Sequence, residues 1–547
     1  MIRIACLVLA LAALSFDSGP GALAQDKPFD SALGALAQDK QDPSPGETLP
    51  NGVRLPAKWP PGPADLSKDL EPPAYLKSPP AVLPIDVGRQ LFVDDFLVES
   101  TTLTRTYHLA KYHPKTPVMR PDKAWEESPE GGVAMSFSDG VWYDPKDRLF
   151  KMWYMAGAAR HTCYATSKDG LAWEKPLLDV KPGTNIVQSG LRDSSTIWLD
   201  HEEKDPARRF KMFRSCSGGS TVKGAYGLAT FFSPDGIHWS DPPLLTGSCG
   251  DRSTVFWNPF RKVWVYSLRH GWGQPRRRRY WEMKDPATGP AWSAGGEPPM
   301  WVGADSLDPM REDYKVPCQL YNLDGFAYES LIVGLFTVWR GQFPDRQKPN
   351  EVCVGFSRDG WNWTRPDRRA FIPVSETFGD WNYSNVQSVG GGCLVMGDEL
   401  WFYVSGRSGA PKGSAKQGTC VTGLATLRRD GFASLDGGAE EGTLTTRPVT
   451  FLGKRLFVNL DAVDGQLRVD VLDGDKAVLS SSAVKGDSTR LAVEGLDLSS
   501  VAGMPVRLRF HLKKGRLYSF WTSSDAGASG GYVAAGGPGF EGPVDRR

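Results

Sequence analysis

The sequence predicts an all-β protein, a five-bladed β-propeller followed by a small β-sandwich. Three observations predict this fold. A short turn motif recurs at near-regular intervals through the middle of the chain. The segments between its copies alternate apolar and polar residues with a period of two and are rich in aromatic residues, as strands are. Past about residue 441 the alternation continues without the turn motif, which indicates a second β domain.

The recurring motif is Ser-x-Asp-Gly-x-x-Trp. Gly accepts the positive φ that a hairpin turn requires, and the Asp and Ser side chains can hydrogen-bond to the turn backbone. We expect the Trp to pack between sheets. Full copies, a degraded copy and a final Asp-Gly turn stand at Ser167–Trp173, Ser233–Trp239, Ser357–Trp363, Lys284–Trp292 and Asp430–Gly431. The full copies begin 66 and 124 residues apart, a spacing typical of repeated propeller blades.

Each of the five units has the same predicted order: a strand, a turn, an aromatic-rich strand, and a strand that enters the Asp-Gly turn. The propeller is predicted over residues 85–438. The first strand of each unit should line the central channel. The segment Gln90–Val98 is predicted to close the ring by pairing with the last blade, because a closed ring has no open sheet edge.

The β-sandwich is predicted over residues 439–525. Leu456–Leu460, Leu467–Val471 and Val506–Leu512 alternate strictly, so each has one apolar and one polar face. That pattern is typical of two sheets packed on their inner faces. Residues 526–547 are rich in Gly, Ser and Ala, and we expect them to be irregular.

The N-terminus predicts export. A charged start at Met1–Arg3, an apolar run at Ile4–Phe16 and small residues before Gln25 form the pattern of a signal peptide over residues 1–24. The protein is therefore expected to be secreted or periplasmic. Residues 25–84 are Pro-rich and lack periodicity, which predicts a linker. Ordered structure is expected to begin near Ile85.

Composition limits the partners. The chain has 64 Lys and Arg against 63 Asp and Glu, so no overall field favours nucleic acid or a membrane surface. No zinc-ligand spacing occurs, and we predict neither a metal site nor a cofactor, although a structural calcium in the channel stays open. Seven Cys follow the signal peptide, an odd number that leaves at least one thiol unpaired. The oligomeric state also stays open.

Acidic residues stand at the first strands of three consecutive units: Asp193, Asp251 and Glu329. Acids from neighbouring blades that converge on a channel would suit glycoside hydrolysis. One carboxyl protonates the leaving oxygen, and another acts as the nucleophile or as the base for water. We predict that Asp251 and Glu329 form this pair, with Glu329 as the acid. Asp193 would position the substrate or tune a pKa.

Sugars also need polar and aromatic partners close to such acids. The predicted substrate-binding residues are Arg252, Tyr321, Asn322, Tyr328, Trp381 and Asn385.

The turns, the five units and the C-terminal sandwich resemble the propeller glycoside hydrolases of the invertase, levanase and arabinanase type. In invertase-like members an Arg-Asp pair in the second blade holds substrate hydroxyls, and Arg192-Asp193 is similar to it. Their first-blade Trp-Met-Asn-Asp-Pro-Asn signature is absent, and Asp251 stands in place of their third-blade Glu-Cys motif. The resemblance implies the fold and the reaction class, but neither the nucleophile nor a fructan substrate.

The predicted function is an exported glycoside hydrolase that cleaves a poly- or oligosaccharide with paired carboxylates in the propeller channel. One alternative is a propeller that binds carbohydrate without cleaving it. Others are a sialidase-like enzyme and an enzyme acting on uronic acids. The last is favoured if the run Arg276–Arg279 faces the pocket.

Overall fold

The protein was analysed as a computed structural model. It describes residues 46–68, 71–219, 225–241, 243–270, 275–289, 292, 296–342, 346–411, 414, 418–524 and 526–546. The predicted signal peptide lies outside the described residues. Within these ranges the chain is almost entirely strand and turn, and no helix is long and apolar enough to cross a membrane.

The first described segment packs against the protein rather than running out as a linker. Its elements are α1 (Ala74–Lys77), β1 (Leu83–Pro84), β2 (Gln90–Leu91), β3 (Val98–Thr101), β4 (Thr104–Tyr107) and β5 (Lys111–Tyr112). Leu49, Val53 and Tyr75 are buried in the same apolar cluster as the C-terminal strands. Burying a few apolar side chains between the prolines is enough to hold this segment against the protein, although its sequence has no hydrophobic periodicity. Structure therefore begins well before Ile85.

Five sheets form the propeller. Blade one contains β6 (Ala134–Met135), β7 (Val141–Asp144), β8 (Leu149–Ala156), β9 (His161–Ser167) and β10 (Ile186–Ser189). Blade two contains β11 (Ser195–Leu199), β12 (Phe210–Ser217), β13 (Tyr226–Ser233) and β14 (Leu244–Ser248). Blade three contains β15 (Thr254–Asn258), β16 (Val263–Arg269), β17 (Arg278–Met283) and β18 (Met300–Val302). Single 3-10 turns lie at Ala124–Glu126, Pro206–Arg208 and Pro286–Thr288.

Blade four contains β19 (Gln319–Glu329), β20 (Leu331–Trp339) and β21 (Glu351–Ser357). Blade five contains β22 (Asn385–Gln387), β23 (Leu394–Met396), β24 (Glu399–Arg407) and β25 (Cys420–Arg428). Neighbouring strands within each blade are antiparallel. The predicted five-bladed propeller is confirmed.

The ring closes as expected, but with a different strand. β5 pairs with β25, placing Tyr112 opposite Ala425, so an N-terminal strand completes the last blade. The segment predicted for this role, Gln90–Val98, lies elsewhere, and its β2 pairs with a C-terminal strand. Phe92 and Phe96 of that segment are buried in the second core instead. Its apolar residues fit any half-buried strand, so the pattern alone did not specify the partner.

The Asp-Gly turns have the predicted hydrogen bonds. In the first copy Gly170 N donates to Ser167 Oγ at 2.8 Å. Asp169 Oδ1 accepts from the next two backbone amides at 2.8 and 2.9 Å. The copies that begin at Ser233 and Ser357 repeat this pattern. The motif is therefore one local structure used three times.

The same turns join neighbouring blades. The Tyr403 hydroxyl of blade five donates to Gly170 O at 2.6 Å, and Trp173 packs edge-on against the Tyr403 ring with centroids 5.8 Å apart. Trp153 Nε1 of blade one donates to Gly236 O of blade two at 2.7 Å. Gly236 has a φ of 81°, and a Cβ there would collide with the Trp153 ring. Each of these two turns thus fixes its blade to the preceding one.

The C-terminal strands form the predicted sandwich around a second core. They are β26 (Ala433–Gly437), β27 (Gly442–Thr446), β28 (Val449–Thr450), β29 (Arg455–Asp473), β30 (Lys476–Ser480), β31 (Val484–Ala492), β32 (Arg507–Lys513) and β33 (Gly515–Ser523). Most of them belong to one ten-stranded sheet centred on the long β29, whose first half pairs mainly with β31 and β33 and whose second half pairs with β30 and β32. Leu456, Val469 and Phe510, from the three alternating segments, are fully buried in this core.

The last described segment contains β34 (Tyr532–Val533), which pairs with the end of β19 in blade four. Val533 and Ala535 are buried against the propeller. The segment has little regular structure but is packed, because its small residues fit closely beside other backbone: a Cβ on Gly537 would collide with Val395 O.

Candidate active site

Two of the predicted acids lie side by side at one end of the propeller channel. Asp193 precedes β11 and Asp251 precedes β15, the first strands of adjacent blades. Ser194 Oγ is 2.9 Å from both Asp251 O and Ser253 O, which holds the two strand starts together. Asp193 is 3% exposed and Asp251 is 7% exposed. We call this end of the channel, lined by Asp193, Asp251, Arg252 and Tyr321, the upper mouth.

Arg252 forms an ion pair with one of the two acids, Asp193. Its Nε lies 2.9 Å from Asp193 Oδ1. Its guanidinium stands over the Phe137 ring at 4.3 Å and 5.2 Å from the centre of the Tyr321 ring. Asp251, on the other side, forms an ion pair with Arg269. The predicted substrate contacts Arg252 and Tyr321 thus do lie beside the acids.

The two acids have different electrostatic environments. Burial raises the pKa of Asp193 to about 6, because the favourable charge of Arg252 is partly cancelled by the nearby Asp251. Burial would also raise the pKa of Asp251, but the guanidiniums of Arg269 and Arg252 outweigh it and lower that pKa. Two neighbouring carboxyls whose pKa values are pushed apart suit the roles of proton donor and ionised partner.

Arg192 does not point at this pair. It forms a two-pronged ion pair with Asp139 of blade one, with both N–O distances 2.7 Å, and donates to Thr162 Oγ1 at 2.8 Å. The Arg-Asp pair of invertase-like enzymes is therefore matched in sequence only, since here the Arg holds a different acid. Sequence reasoning missed Asp139 and Phe137, which lie in an irregular stretch between β6 and β7.

Asn322 lies deeper in the channel. Its Nδ2 donates to Ser138 Oγ, Asp324 Oδ2 and Ser388 Oγ at 3.1, 2.9 and 3.2 Å. Burial raises the pKa of Asp324 to about 6, although hydrogen bonds from Val389 N, Ser138 and Asn322 oppose the rise. Asn322 is fully buried, so the structure gives it a role in joining blades one, four and five.

Glu329 is not at the upper mouth, and the predicted pairing of Glu329 with Asp251 is wrong. Glu329 ends β19, whereas Tyr321 lies near its beginning, and eight residues of strand span about 26 Å. Glu329 accepts hydrogen bonds from Arg89 N at 3.1 Å, Ser529 Oγ at 2.7 Å and Arg429 Nη2 at 3.1 Å. It is fully buried where the propeller meets the C-terminal strands.

Tyr328 belongs to the same region, so its predicted role in substrate binding is also wrong. Its hydroxyl donates to Asp430 Oδ1 at 2.6 Å. Asp430 in turn pairs with Arg89, and Arg429 pairs with Asp545. We call Glu329, Asp430, Asp545, Arg89 and Arg429 the lower cluster.

Trp381 and Asn385 have supporting roles in blade five. Trp381 covers Gly406 and Gly423, where a Cβ would collide with its ring, and packs edge-on against Tyr112 at 5.2 Å. It is therefore a blade-packing residue rather than a sugar contact. Asn385 Nδ2 donates to Lys348 O at 2.8 Å, which fixes the loop that carries Lys348.

The arginine run divides between two directions. Arg276 and Arg278 face the upper mouth: Arg276 lies 5.4 Å from the Tyr321 ring centre, and Arg278 donates to Arg252 O and Tyr321 O. Arg277 and Arg279 turn away, toward Leu66 O and Glu297. Alternate residues of a strand point to opposite faces, which accounts for the division.

In the described ranges, no group of three or more His, Cys, Asp or Glu side chains could hold a metal ion. The seven Cys from Cys163 to Cys420 are all present as unpaired thiols. The upper mouth offers the carboxylates of Asp193 and Asp251, the guanidinium of Arg252 and the phenol of Tyr321, and the ammonium of Lys348 lies 5.8 Å from the centre of that phenol ring.

No family model matches the sequence, and no curated protein does. Solved structures similar in fold include a thermostable family-43 glycoside hydrolase, with 11% identity, a TM-score of 0.38 and coverage of 57% of this chain and 96% of that one. A glycosyl hydrolase from Bacteroides ovatus shows 12% identity, a TM-score of 0.38 and coverage of 62% and 97%. A family 43 arabinoxylan arabinofuranohydrolase from Bacillus subtilis shows 10% identity, a TM-score of 0.35 and coverage of 76% and 99%. Similarity this low carries no argument about activity, which must come from the site itself.

Proposed function

We propose that the protein is a glycoside hydrolase whose proton donor is Asp193 and whose ionised carboxylate is Asp251. The observation that carries the proposal is their position on adjacent blades, beside one arginine, with pKa values shifted in opposite directions. These assignments replace the pairing of Asp251 with Glu329.

The chemistry follows from the two protonation states. Asp193 gives its proton to the oxygen of the glycosidic bond as the C–O bond breaks. Asp251 either attacks the anomeric carbon or removes a proton from the water that does so, and water supplies the new hydroxyl. Arg269 and Arg252 keep Asp251 ionised while it acts. In a sugar complex, carboxyls about 5–5.5 Å apart would indicate retention and about 6.5–9.5 Å inversion.

The test is a panel of poly- and oligosaccharides incubated with the mature chain, with reducing ends as the readout. The wild type should release sugar from at least one member of the panel, and Asp193→Asn and Asp251→Asn should not. Glu329→Gln is the control, because Glu329 is a buried acid of the lower cluster and its variant should stay active. Activity in both Asp193→Asn and Asp251→Asn would overturn the proposal. Sugar binding without release of reducing ends would favour the non-catalytic alternative.

We also propose that the protein is exported, on the basis of the N-terminal pattern over residues 1–24. N-terminal sequencing of the protein from its host should give Gln25 as the first residue. A mature chain that begins at Met1 would contradict export by this route.

A further inference from the structure

Three cations surround the ring of Tyr321. Arg252, Arg276 and Lys348 lie 5.2, 5.4 and 5.8 Å from its centre. A phenol face attracts a cation, but it does not carry the charge needed to neutralise three of them. Groups held this close to one ring repel one another unless an anion lies nearby. The arrangement therefore raises the question of which anions balance it.

The protein's own carboxylates account for only part of the charge. Asp193 pairs with Arg252, and Asp251 pairs with Arg269. Lys348 forms no ion pair with any carboxylate in the described part of the chain, although its charge contributes to the lowered pKa of Asp251. Buried Nη1 of Arg252 makes no hydrogen bond to any described residue. Two cationic donors are thus uncommitted beside the two acids.

The hydrogen bonds that hold the Lys348 loop involve the backbone of Lys348 rather than its side chain. Lys348 holds the loop through its backbone oxygen, which accepts hydrogen bonds from Asn385 Nδ2 and Asn350 N. Its φ is 49°, so the loop places it in a left-handed conformation that a non-glycine residue adopts at a cost. From this strained backbone Lys348 presents its ammonium to the Tyr321 ring, beside the two acids.

A neutral sugar does not need two cations. Hydroxyls are bound well by amides, neutral acids and aromatic faces, whereas a guanidinium fork and an ammonium match a planar carboxylate. We infer that the sugar bound beside Asp193 and Asp251 carries a carboxylate, held by Lys348 and Arg252, so that the substrate class is a uronic-acid glycan. The inference rests on the proposed hydrolase function for its catalytic meaning, but its binding part can be tested separately.

The experiment measures binding of glucuronate and galacturonate, with glucose and galactose as neutral counterparts, to the mature full-length chain by titration calorimetry. At least one uronate should bind about tenfold or more tightly than its neutral counterpart, the factor expected for one charge-assisted hydrogen bond. The difference should shrink as salt is added, because an ionic contact is screened. Equal affinities for the acidic and neutral sugars, or no binding of either acid, would overturn the inference.

Lys348→Gln should lower the affinity for the uronate about tenfold and leave the affinity for the neutral sugars unchanged. Lys348→Arg should keep most of the wild-type affinity for the uronate. The matched control is Lys262→Gln, because Lys262 also has a positive φ, of 53°, but lies exposed in the turn between β15 and β16. Thermal unfolding of each variant separates misfolding from lost binding. Unchanged uronate affinity in a folded Lys348→Gln protein would overturn the assignment.

Two arms separate this inference from the hydrolase proposal. If a uronate binds but no glycan releases reducing ends, the hydrolase proposal is wrong and the inferred carboxylate-binding site stands. If only neutral glycans are cleaved, the hydrolase proposal stands and the inferred carboxylate-binding site is wrong. Glucose 6-sulfate is the fifth ligand, and tighter binding of the sulfate ester than of either uronate would overturn the choice of a carboxylate.

Discussion

The two ends of β19 carry similar residues that belong to two different clusters. At its beginning Tyr321 lies beside Arg252 and the upper-mouth acids, and at its end Tyr328 and Glu329 belong to the lower cluster. Both clusters combine buried carboxyls with arginines, and in both burial raises the pKa of one acid, Asp193 or Glu329. A shifted pKa therefore does not by itself tell a catalytic group from a structural one.

The two clusters differ in their balance of acids and cations, and in whether their hydrogen-bond donors are paired within the protein. In the lower cluster three acids share two arginines, and the acids also accept hydrogen bonds from Tyr328, Ser519 and Ser529. Around the upper mouth the cations Arg252, Arg269, Arg276 and Lys348 outnumber the acids Asp193 and Asp251. Nη1 of Arg252 and the ammonium of Lys348 form no ion pair with a carboxylate of the described residues. The acids of the lower cluster are paired within the protein, whereas the carboxylate proposed for the substrate would pair with the donors left at the upper mouth.

The largest expected effect is on turnover at the upper mouth. Asp193→Asn should lower kcat/KM by about 10²–10⁴-fold, because the variant cannot donate the proton. Its unfolding free energy at pH 7 should fall, because Asn leaves the buried guanidinium of Arg252 without the carboxylate that pairs with it. Burial raises the pKa of Asp193 in the folded state, so ionising it above pH 6 opposes folding, and Asn removes that cost and offsets part of the loss. Glu329→Gln, assayed alongside it, should keep kcat/KM within about twofold of the wild type.

The next effect is on stability at the lower cluster. Arg89→Met should lower the unfolding free energy by about 3–5 kcal/mol, because it leaves Asp430 and Glu329 buried without their shared cation. It also removes the contact with Trp521, whose ring centre lies 4.0 Å from the guanidinium. Urea unfolding measures the change. A variant as stable as the wild type would show that the lower cluster does not hold the C-terminal strands to the propeller.

A smaller effect is expected in the pH profile. Asp193 must be protonated and Asp251 ionised, so kcat/KM should fall about tenfold per pH unit above pH 6. On the acid side it should fall only below the ordinary range of an Asp, because the pKa of Asp251 is lowered. The melting temperature at each pH serves as the control for unfolding. Constant activity up to pH 8 would contradict the assignment of Asp193 as the acid.

The smallest effect is expected on stability at a blade junction, which is remote from both clusters. Tyr403→Phe removes one buried hydrogen bond, from the hydroxyl to Gly170 O, and should cost about 1 kcal/mol of unfolding free energy. Turnover should not change. A loss as large as that of Arg89→Met would mean that the blade junctions, not the ionic contacts, dominate stability.

The fold was predictable because its main signal is local. The turn that contains Ser167, Asp169 and Gly170 is held by hydrogen bonds between residues close in sequence. Each copy of the motif therefore marks one blade. The alternation of Leu456, Val458 and Leu460 likewise predicted a buried sandwich face, and all three are fully buried.

The site was only partly predictable because it depends on contacts that no local pattern encodes. β19 has polar residues at both ends, and its alternation does not reveal which end opens on the channel mouth. Glu329 is paired by Arg89, 240 residues away, and by Ser529, 200 residues away. That Asp193 and Asp251 lie close together was predictable, because both stand just before the first strand of their blade, a position that the repeat itself identifies.

The most direct test of the central claim, that Asp193 and Asp251 act as one pair, is a double-mutant cycle on kcat/KM. It compares the wild type, Asp193→Asn, Asp251→Asn and the double variant. Residues that serve one step are strongly non-additive, so the double variant should be no slower than the slower single one. Losses that multiply, or a single variant as active as the wild type, would show that the two carboxyls do not work together.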